Sequence, residues 1–310
     1  MQSKTPYIFV ALGIGGWQPM LPDEVQKKGY GDCKGLSTHM KILLDEAGIP
    51  SYYCKINSAN SSVSFDEDFP KMGGNHIILM VPTEKGTIWL ENTSQDIAFN
   101  HLSYSTTDRN VLAVKPNGIE VVETLVYTAK ENKEKQIVDI VLNTDKTITG
   151  KAKFNYTGNQ YDFNLMFSGL SQKERNDAIK SRLSTLNFEN AEMNNFTINR
   201  DVASIQYDVD FKASNYSKMV GNSFIFRAVP IYSEGFYHEN ETRNLPFETQ
   251  FAYEDESEIS YELPQGYFIE ELPQNGTVSS EFGTYSLDFE KKDTKLIVRR
   301  TIQIKKRDLR

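Results

Sequence analysis

The sequence predicts an α+β fold, in which a helix that carries a cysteine packs on an antiparallel sheet and a mostly-β accessory region follows. Two patterns support this prediction. Residues 1–115 combine one clearly amphipathic helix with strands, whereas residues 116–310 alternate apolar and polar side chains with the period of antiparallel strands. A turn signal at Pro116–Gly118 separates the two patterns. We therefore expect a domain boundary at this turn.

The predicted core begins with a strand and continues with a helix. The apolar, β-prone run Tyr7–Leu12 resembles a strand close to the first residue. At the other end, Thr301–Lys306 still alternates apolar and polar side chains like a strand. We therefore expect a fragment of a longer protein, with a core truncated at its N-terminus. The helix is predicted over about residues 33–47, between the N-cap Asp32 and the stop signal Gly48. Its apolar face consists of Cys33, Leu36, Met40, Leu43, Leu44 and Ala47.

Cys33 lies in the first turn of this helix, where unpaired backbone N–H groups and the helix dipole favour an anion. A free thiol has a pKa of about 8.5, and such a position beside a histidine lowers it. The same N–H groups can hold a tetrahedral oxyanion, and Gly29–Gly31 permits a close backbone approach. From the spacing alone, a nucleophile and a small apolar residue at the core end of the helix are equally supported interpretations of Cys33.

A nucleophilic thiol needs a base, and His76 has the most suitable position. It follows Gly73–Asn75 and precedes the apolar strand Ile77–Val81, so it lies at the start of a strand that is expected to be buried. His39 is six residues from Cys33 on the same helix, roughly 240° around the axis, and so points elsewhere. The two remaining histidines are interpreted as structural or solvated: His101 and His238.

Glu91 is the candidate for the third member of a triad. After a turn at Glu84–Gly86, residues 87–93 read as the hairpin partner of the His76 strand. In an antiparallel pair the start of one strand meets the end of the next, so the Glu91 carboxylate is expected beside His76 and can fix its tautomer. Taken singly, a hydrogen-bonded strand-end histidine and a solvated glutamate are the simpler interpretations; taken jointly with Cys33, the triad is favoured.

Composition excludes several classes of protein. The net charge of −8 and the lack of a basic stripe argue against nucleic-acid binding. No apolar run reaches the roughly 20 residues of a membrane helix.

Cys54 lies in a β-prone run and is interpreted as a small buried thiol. The acidic run Glu254–Glu258 lacks the oxygen spacing and glycine of a calcium loop. We therefore expect no metal site.

The region 116–310 is predicted to be β-rich, with a possible division into two subdomains near residues 230–255. One helix interrupts it, because Ser171 and Glu174 have the spacing of a capping box. Predicted strands are Ile119–Tyr127, Gln136–Leu142, Thr147–Tyr156, Tyr161–Phe167, Ala203–Phe211, Ser223–Val229, Glu258–Leu263, Tyr285–Phe289 and Leu296–Ile304.

Three segments, Gly31–Lys34, Asn75–His76 and Trp89–Thr93, resemble the sequence blocks of the transglutaminase-like superfamily, whose core is papain-like. In particular, the chain looks like multidomain bacterial proteins, common in Bacteroidetes, that place a transglutaminase-like core between β-rich domains of unknown function. This resemblance implies that Cys33 is the nucleophile, His76 the base and Glu91 the third member. Many members have Asp at that third position, so Glu91 departs from the pattern. The resemblance also implies that Gly15–Pro19 borders the site, where Gln18 or Trp17 can offer an N–H to the oxyanion. For Trp17, packing as a buried side chain beside a turn is an equally supported interpretation.

We expect a cysteine-dependent acyl-transfer enzyme that acts on peptide or amide bonds through a thioester, with hydrolysis favoured over cross-linking. This chemistry requires no cofactor. The expected partner is a peptide or protein, cell-wall peptide included, and the oligomeric state is not readable. Related proteins are usually exported, which implies a periplasmic or extracellular location. The alternative is a catalytically inactive transglutaminase-like module with a binding or structural role at the cell surface or in the periplasm.

Overall fold

The computed structural model describes residues 4–10, 12–58, 64–68, 73–231, 247–292, 294–306 and 308–309. The chain divides into two compact units. Unit 1 comprises Met1–Tyr127 with Arg200–Ala203, and unit 2 comprises Thr128–Asn199 with Ser204–Arg310. The predicted division near residues 230–255 falls largely on residues 232–246, which lie outside the described residues, so it stays a prediction.

In the described part of the chain, no helix is both long and apolar enough to cross a membrane.

Strands account for most of the regular structure. The helices are α1 Pro22–Lys28, α2 Cys33–Glu46, α3 Asn159–Asn164 and α4 Gln172–Arg182. The strands are β1 Tyr52–Ile56, β2 His76–Thr83, β3 Gly86–Leu90, β4 Asn110–Lys115, β5 Gly118–Glu123, β6 Lys133–Leu142, β7 Ile148–Thr157, β8 Phe188–Asn199, β9 Ser204–Ala213, β10 Ser217–Val220, β11 Ser223–Phe226, β12 Phe247–Glu248, β13 Tyr253–Glu262, β14 Gly276–Ser280, β15 Gly283–Lys292, β16 Lys295–Ile304 and β17 Asp308–Leu309.

Unit 1 is built on a five-stranded antiparallel sheet in the order β3-β2-β1-β4-β5. Helix α2 packs against β1 and β2, where the Ser37 hydroxyl donates to the Ile77 carbonyl at 3.4 Å. Because side chains alternate along a strand, each strand supplies every second residue to a common core. That core contains Cys54, Ile56, Ile78, Met80, Trp89, Leu102, Val111 and Ala113.

Helix α2 forms as the sequence predicts. Asp32 is its N-cap, with a side-chain oxygen that accepts the Gly35 N–H, and the helix runs from Cys33 to Glu46. Burial is concentrated in its first two turns, where Leu36 is completely buried, whereas Leu43 is 46% exposed. The start of the helix, rather than its whole length, is therefore anchored in the unit 1 core.

Unit 2 contains an eight-stranded mixed sheet in the order β14-β15-β16-β13-β6-β7-β9-β8. Its pairs are antiparallel except for β6 and β13, which run parallel. Its core combines aliphatic residues with large aromatic ones, and among the completely or nearly completely buried aromatic members are Tyr156, Tyr161, Tyr207, Phe154 and Phe167.

The predicted α+β fold class is wrong. The chain is mostly β, with 43% of its residues in strands and 16% in helices, and large antiparallel and mixed sheets replace the expected core plus accessory region. Some of the missed strands carry little of the alternation that marks a strand in sequence. All five residues of β14 are exposed, and β8 has register shifts between Phe188 and Asn190 and between Asn194 and Thr197. Their strand structure depends on pairing with neighbours rather than on their own pattern.

Two predicted strands are absent where the structure describes them. The segment Tyr161–Phe167 is helical, with α3 followed by a 3-10 turn, because the Asn132 side chain accepts the Asn159 N–H at 2.7 Å and starts a turn there. In the described residues of Tyr7–Leu12, which leave out residue 11, Tyr7 forms a single parallel bridge to Gly31. The capping box at Ser171 and Glu174 is confirmed.

The parallel seam between β6 and β13 places two carboxyl groups side by side. Asp255 and Glu134 are direct partners in this register. Burial, followed by the charge of Glu134, raises the pKa of Asp255 to about 7, although Arg300 and a hydrogen bond from Gln160 act in the opposite direction. The folded state therefore binds this proton more tightly than the unfolded chain does, so stability declines as the pH rises from about 4 to about 7.

We predict that Asp255→Asn stabilises unit 2 by about 1–3 kcal/mol at pH 8 and has little effect near pH 4, because it removes the charge that burial and Glu134 disfavour. Thermal unfolding of the full chain at several pH values measures this effect. Asp139→Asn on the exposed side of β6 is the matched control. A stabilisation by Asp255→Asn that does not increase with pH would contradict the assignment.

Candidate active site

The start of α2 is shaped by a charged pair. Asp32 Oδ1 accepts the Gly35 N–H at 2.9 Å, and Asp32 Oδ2 contacts the Lys34 ammonium. Gly29 ends α1 with a left-handed backbone (φ 73°), which allows the chain to reverse into α2. Within the described residues, the N–H groups of Cys33 and Lys34 have no backbone acceptor, as expected for the first turn of a helix. These two N–H groups are available to an anion.

His76 is the first residue of β2, and the chain just before it passes close to Lys55. Gly74 has a positive φ of 87°, and a Cβ there would lie 2.7 Å from Lys55 Cγ. Only glycine fits this position without displacing its neighbour. The His76 imidazole reaches Glu91, with 2.8 Å between His76 Nε2 and Glu91 Oε2. With Nε2 used in this way, Nδ1 is the nitrogen left to face Cys33.

The hairpin register explains how a glutamate reaches the histidine. Leu79 pairs with Leu90, so extending the register by one residue sets Glu91 opposite Ile78 and diagonal to His76. Diagonal neighbours across a pair of strands are about 7–8 Å apart at Cα, a gap that long side chains can span. The additional methylene of glutamate, relative to aspartate, suits this offset.

Glu91 is held in place by its own loop. Its second oxygen, Oε1, accepts the Thr93 N–H at 3.0 Å and the Thr93 hydroxyl at 2.6 Å. The next residue, Asn92, donates from its side-chain amide to the Ser37 hydroxyl at 3.1 Å. The loop after β3 is thereby tied to α2, the helix that carries Cys33.

The charges of this site stabilise a protonated histidine. Burial alone lowers the pKa of His76, but the Glu91 carboxylate and hydrogen bonds with Cys33 and Glu91 outweigh burial and raise this pKa to about 10. Burial raises the pKa of Glu91, yet the charge of His76 and the hydrogen bonds from His76 and Thr93 lower it overall. The Glu91 carboxylate therefore favours the charged form of the His76 imidazole.

Cys54 provides an internal comparison for Cys33. It is completely buried in the unit 1 core, and burial raises the pKa of its thiol to about 12. Its environment therefore opposes ionisation. Cys33 is 7% exposed and lies at a helix start beside an imidazole, so the two thiols are expected to differ strongly in reactivity.

Two tyrosines that the sequence analysis did not single out border the site. Burial raises the pKa of Tyr7, and the charges of Cys33, Asp32 and Glu91 raise it further. Burial also raises the pKa of Tyr53 on β1, with added effects from Cys33 and Asp32. Tyr7 reaches the site through backbone hydrogen bonding between residues 6–8 and Gly31. No local sequence pattern signals this contact between segments more than 20 residues apart.

Trp17 and Gln18 were predicted as oxyanion donors. Both side chains are exposed, Trp17 by 73%, and both backbone N–H groups donate to the Ile14 carbonyl, at 2.9 and 2.8 Å. In this conformation only their side chains have N–H groups to offer a substrate. Their role therefore stays a prediction.

The other histidines are placed as follows. His39 is buried on α2, and burial lowers its pKa. His101 is also buried, stacks on Tyr127 with ring centroids 5.3 Å apart, and has its Nδ1 2.8 Å from the Tyr127 hydroxyl. His238 lies outside the described residues. The structure thus brings Cys33, His76 and Glu91 together, and their catalytic roles remain a prediction.

Comparisons with known proteins give a partial match and a fold match. Residues 222–310 match a domain of unknown function with a solved structure, DUF3858. No curated protein matches the sequence. A crystal structure from Parabacteroides distasonis, described as that of a "putative protease", matches with a TM-score of 0.52 and 13% sequence identity, over 99% of this chain and 44% of that chain. At this identity the likeness shows the fold alone, and this chain spans less than half of the other.

We predict that Glu91→Gln lowers the pKa of His76 from about 10, because the carboxylate that most strongly offsets burial is lost and only the influence of Cys33 still opposes burial. In the wild type, His76 contributes stability that is complete below pH 6.5 and is lost as the pH rises through about 10. NMR titration of the imidazole, assigned with His76→Ala, measures the change. Glu84→Gln in the exposed hairpin turn is the control. An unchanged His76 titration in Glu91→Gln would contradict the electrostatic account.

Proposed function

We propose that this protein is a cysteine-dependent acyl-transfer enzyme that hydrolyses peptide or amide bonds through a thioester at Cys33. One arrangement carries the proposal: His76 Nε2 lies 2.8 Å from Glu91 Oε2, and the Cys33 sulfur is near enough to His76 to help raise the pKa of the imidazole. A nucleophile, a base and a group that orients the base are the parts that such chemistry needs. Together with the fold match to a protein described as a protease, this arrangement favours hydrolysis of peptide bonds.

In the first half-reaction the Cys33 thiolate attacks the carbonyl carbon of the substrate, and a new S–C bond converts the carbonyl oxygen into an oxyanion. The N–H groups in the first turn of α2 are the donors proposed for that oxyanion. The His76 imidazolium then gives its proton to the departing amine nitrogen, and the C–N bond breaks. The products are a free amine and a thioester on Cys33, with His76 neutral.

In the second half-reaction water attacks the thioester carbonyl. Neutral His76 takes a proton from this water, the C–S bond breaks, and the carboxylic acid leaves. The thiolate and imidazolium pair is restored, so atoms and charges balance over the cycle. Glu91 does not exchange protons. Its carboxylate oxygen accepts the Nε2–H of His76, which keeps the ring oriented and stabilises the imidazolium. An amine in place of water would give the cross-linked product instead.

We predict that the full chain releases amine and acid products from a mixed peptide and cell-wall peptide library, and that Cys33→Ala lowers this turnover by at least about 1,000-fold because the nucleophile is lost. Mass spectrometry of the products, with and without an added amine donor, distinguishes hydrolysis from amine transfer. Cys54→Ala is the matched thiol control and is expected to retain activity, since Cys54 lies in the hydrophobic core.

Three outcomes would contradict the proposal. Equal turnover by wild type and Cys33→Ala would show that the sulfur is not the nucleophile. Loss of activity in Cys54→Ala with an intact fold would place the reactive thiol elsewhere. No turnover of any library member, with Cys33 alkylated no faster than Cys54, would favour the inactive binding module.

A further inference from the structure

The N-cap of α2 raises an electrostatic difficulty for the proposed nucleophile. Asp32 immediately precedes Cys33, is 2% exposed, and is committed to the cap through its bond to the Gly35 N–H. This carboxylate belongs to the residue next to Cys33 in the chain, and like charges repel more strongly where solvent screens them poorly. The cap therefore stabilises the helix at the expense of the anion that the proposed reaction needs.

Lys34 resolves this difficulty. Its ammonium contacts the Asp32 oxygen that is not used by the cap, and the lysine side chain is only 15% exposed although lysine is normally solvated. Among the described residues, two other lysines on α1 and α2 form ion pairs and are more exposed: Lys28 with Glu24, and Lys41 with Asp45. The pair of Lys34 and Asp32 is more buried than either of these, and its two residues flank Cys33 in sequence.

We propose that Lys34 is a positioning residue of the candidate site: by pairing with Asp32, its ammonium cancels the charge of the helix cap beside Cys33. The carboxylate can then cap α2 without repelling a thiolate. This inference rests on the proposed function, because it concerns the reactivity of the same sulfur. Among the described residues, the charged and titratable groups of this site are Asp32 at the N-cap of α2, Lys34 on α2, His76 on β2, Glu91 after β3, Tyr53 on β1, and Tyr7.

The test removes the charges of residues 32 and 34 singly and together. For each variant, the rate of Cys33 alkylation is measured as a function of pH. Iodoacetamide is suitable because it is neutral and is not steered by the charges being changed. Peptide mass mapping separates Cys33 from Cys54 within the same full-length sample. Lys34→Met exposes the sulfur to an uncompensated carboxylate, so we predict that the alkylation midpoint moves up by about one pH unit and that the rate below the midpoint falls about tenfold.

The remaining variants separate charge from structure. Asp32→Asn keeps a good N-cap but leaves Lys34 unopposed, so its midpoint moves down. The double variant Asp32→Asn with Lys34→Met removes both charges, and its midpoint returns to near that of the wild type. Lys34→Arg keeps the charge and the wild-type midpoint. Lys41→Met is the matched control, since it makes the same change in an exposed ion pair on the same helix and leaves the midpoint in place.

The inference is overturned if Lys34→Met leaves the midpoint unchanged, or if the double variant shows the same upward shift as Lys34→Met alone, which would indicate a packing effect. Should Lys34→Met fail to fold by circular dichroism, Asp32→Asn still decides the question through its opposite shift. Failure of the proposed function gives a different result: Cys33 in the wild type would then react no faster than Cys54.

Discussion

The hydrogen bond between His76 Nε2 and Glu91 Oε2 is the interaction on which the candidate site depends. It fixes which imidazole nitrogen is left for Cys33, and together with the charge of Glu91 and the influence of Cys33 it outweighs the effect of burial on the pKa of the ring. The sheet of unit 1 makes this bond possible, because β2 and β3 form a hairpin that sets the two residues on a diagonal. Bonds from Thr93 to Glu91, and from Asn92 to Ser37, then hold the loop against α2.

Local signals in the sequence were sufficient for the parts of the site that depend on local structure. The cap at Asp32, the start of α2 at Cys33 and the capping box at Ser171 each follow from residues within one turn of each other. The approach of Glu91 to His76 also follows from sequence, because a short hairpin leaves few possible registers. These features require no knowledge of the remaining chain.

Features that depend on distant contacts could not be predicted. Tyr7 borders the site through backbone bonds between its neighbours and Gly31, and the side chain of the distant Asn132 accepts the N–H of Asn159, the first residue of the helix that replaces the predicted strand Tyr161–Phe167. The fold class was wrong for the same reason: β14 is exposed along its whole length and is a strand only because β15 pairs with it. The contact between Lys34 and Asp32 is local, and it was overlooked for a different reason: a lysine after a cysteine is normally interpreted as solvated.

The central claim is that the Cys33 sulfur forms a covalent acyl intermediate under the control of His76. Rapid acid quenching during turnover of a peptide ester, followed by intact-mass measurement and peptide mapping, tests this claim most directly. The account predicts an acyl adduct on Cys33 that hydroxylamine removes, that accumulates in the wild type, and that fails to form in His76→Ala. An adduct on Cys54, or turnover without any adduct in wild type under conditions where a thioester survives quenching, would contradict it.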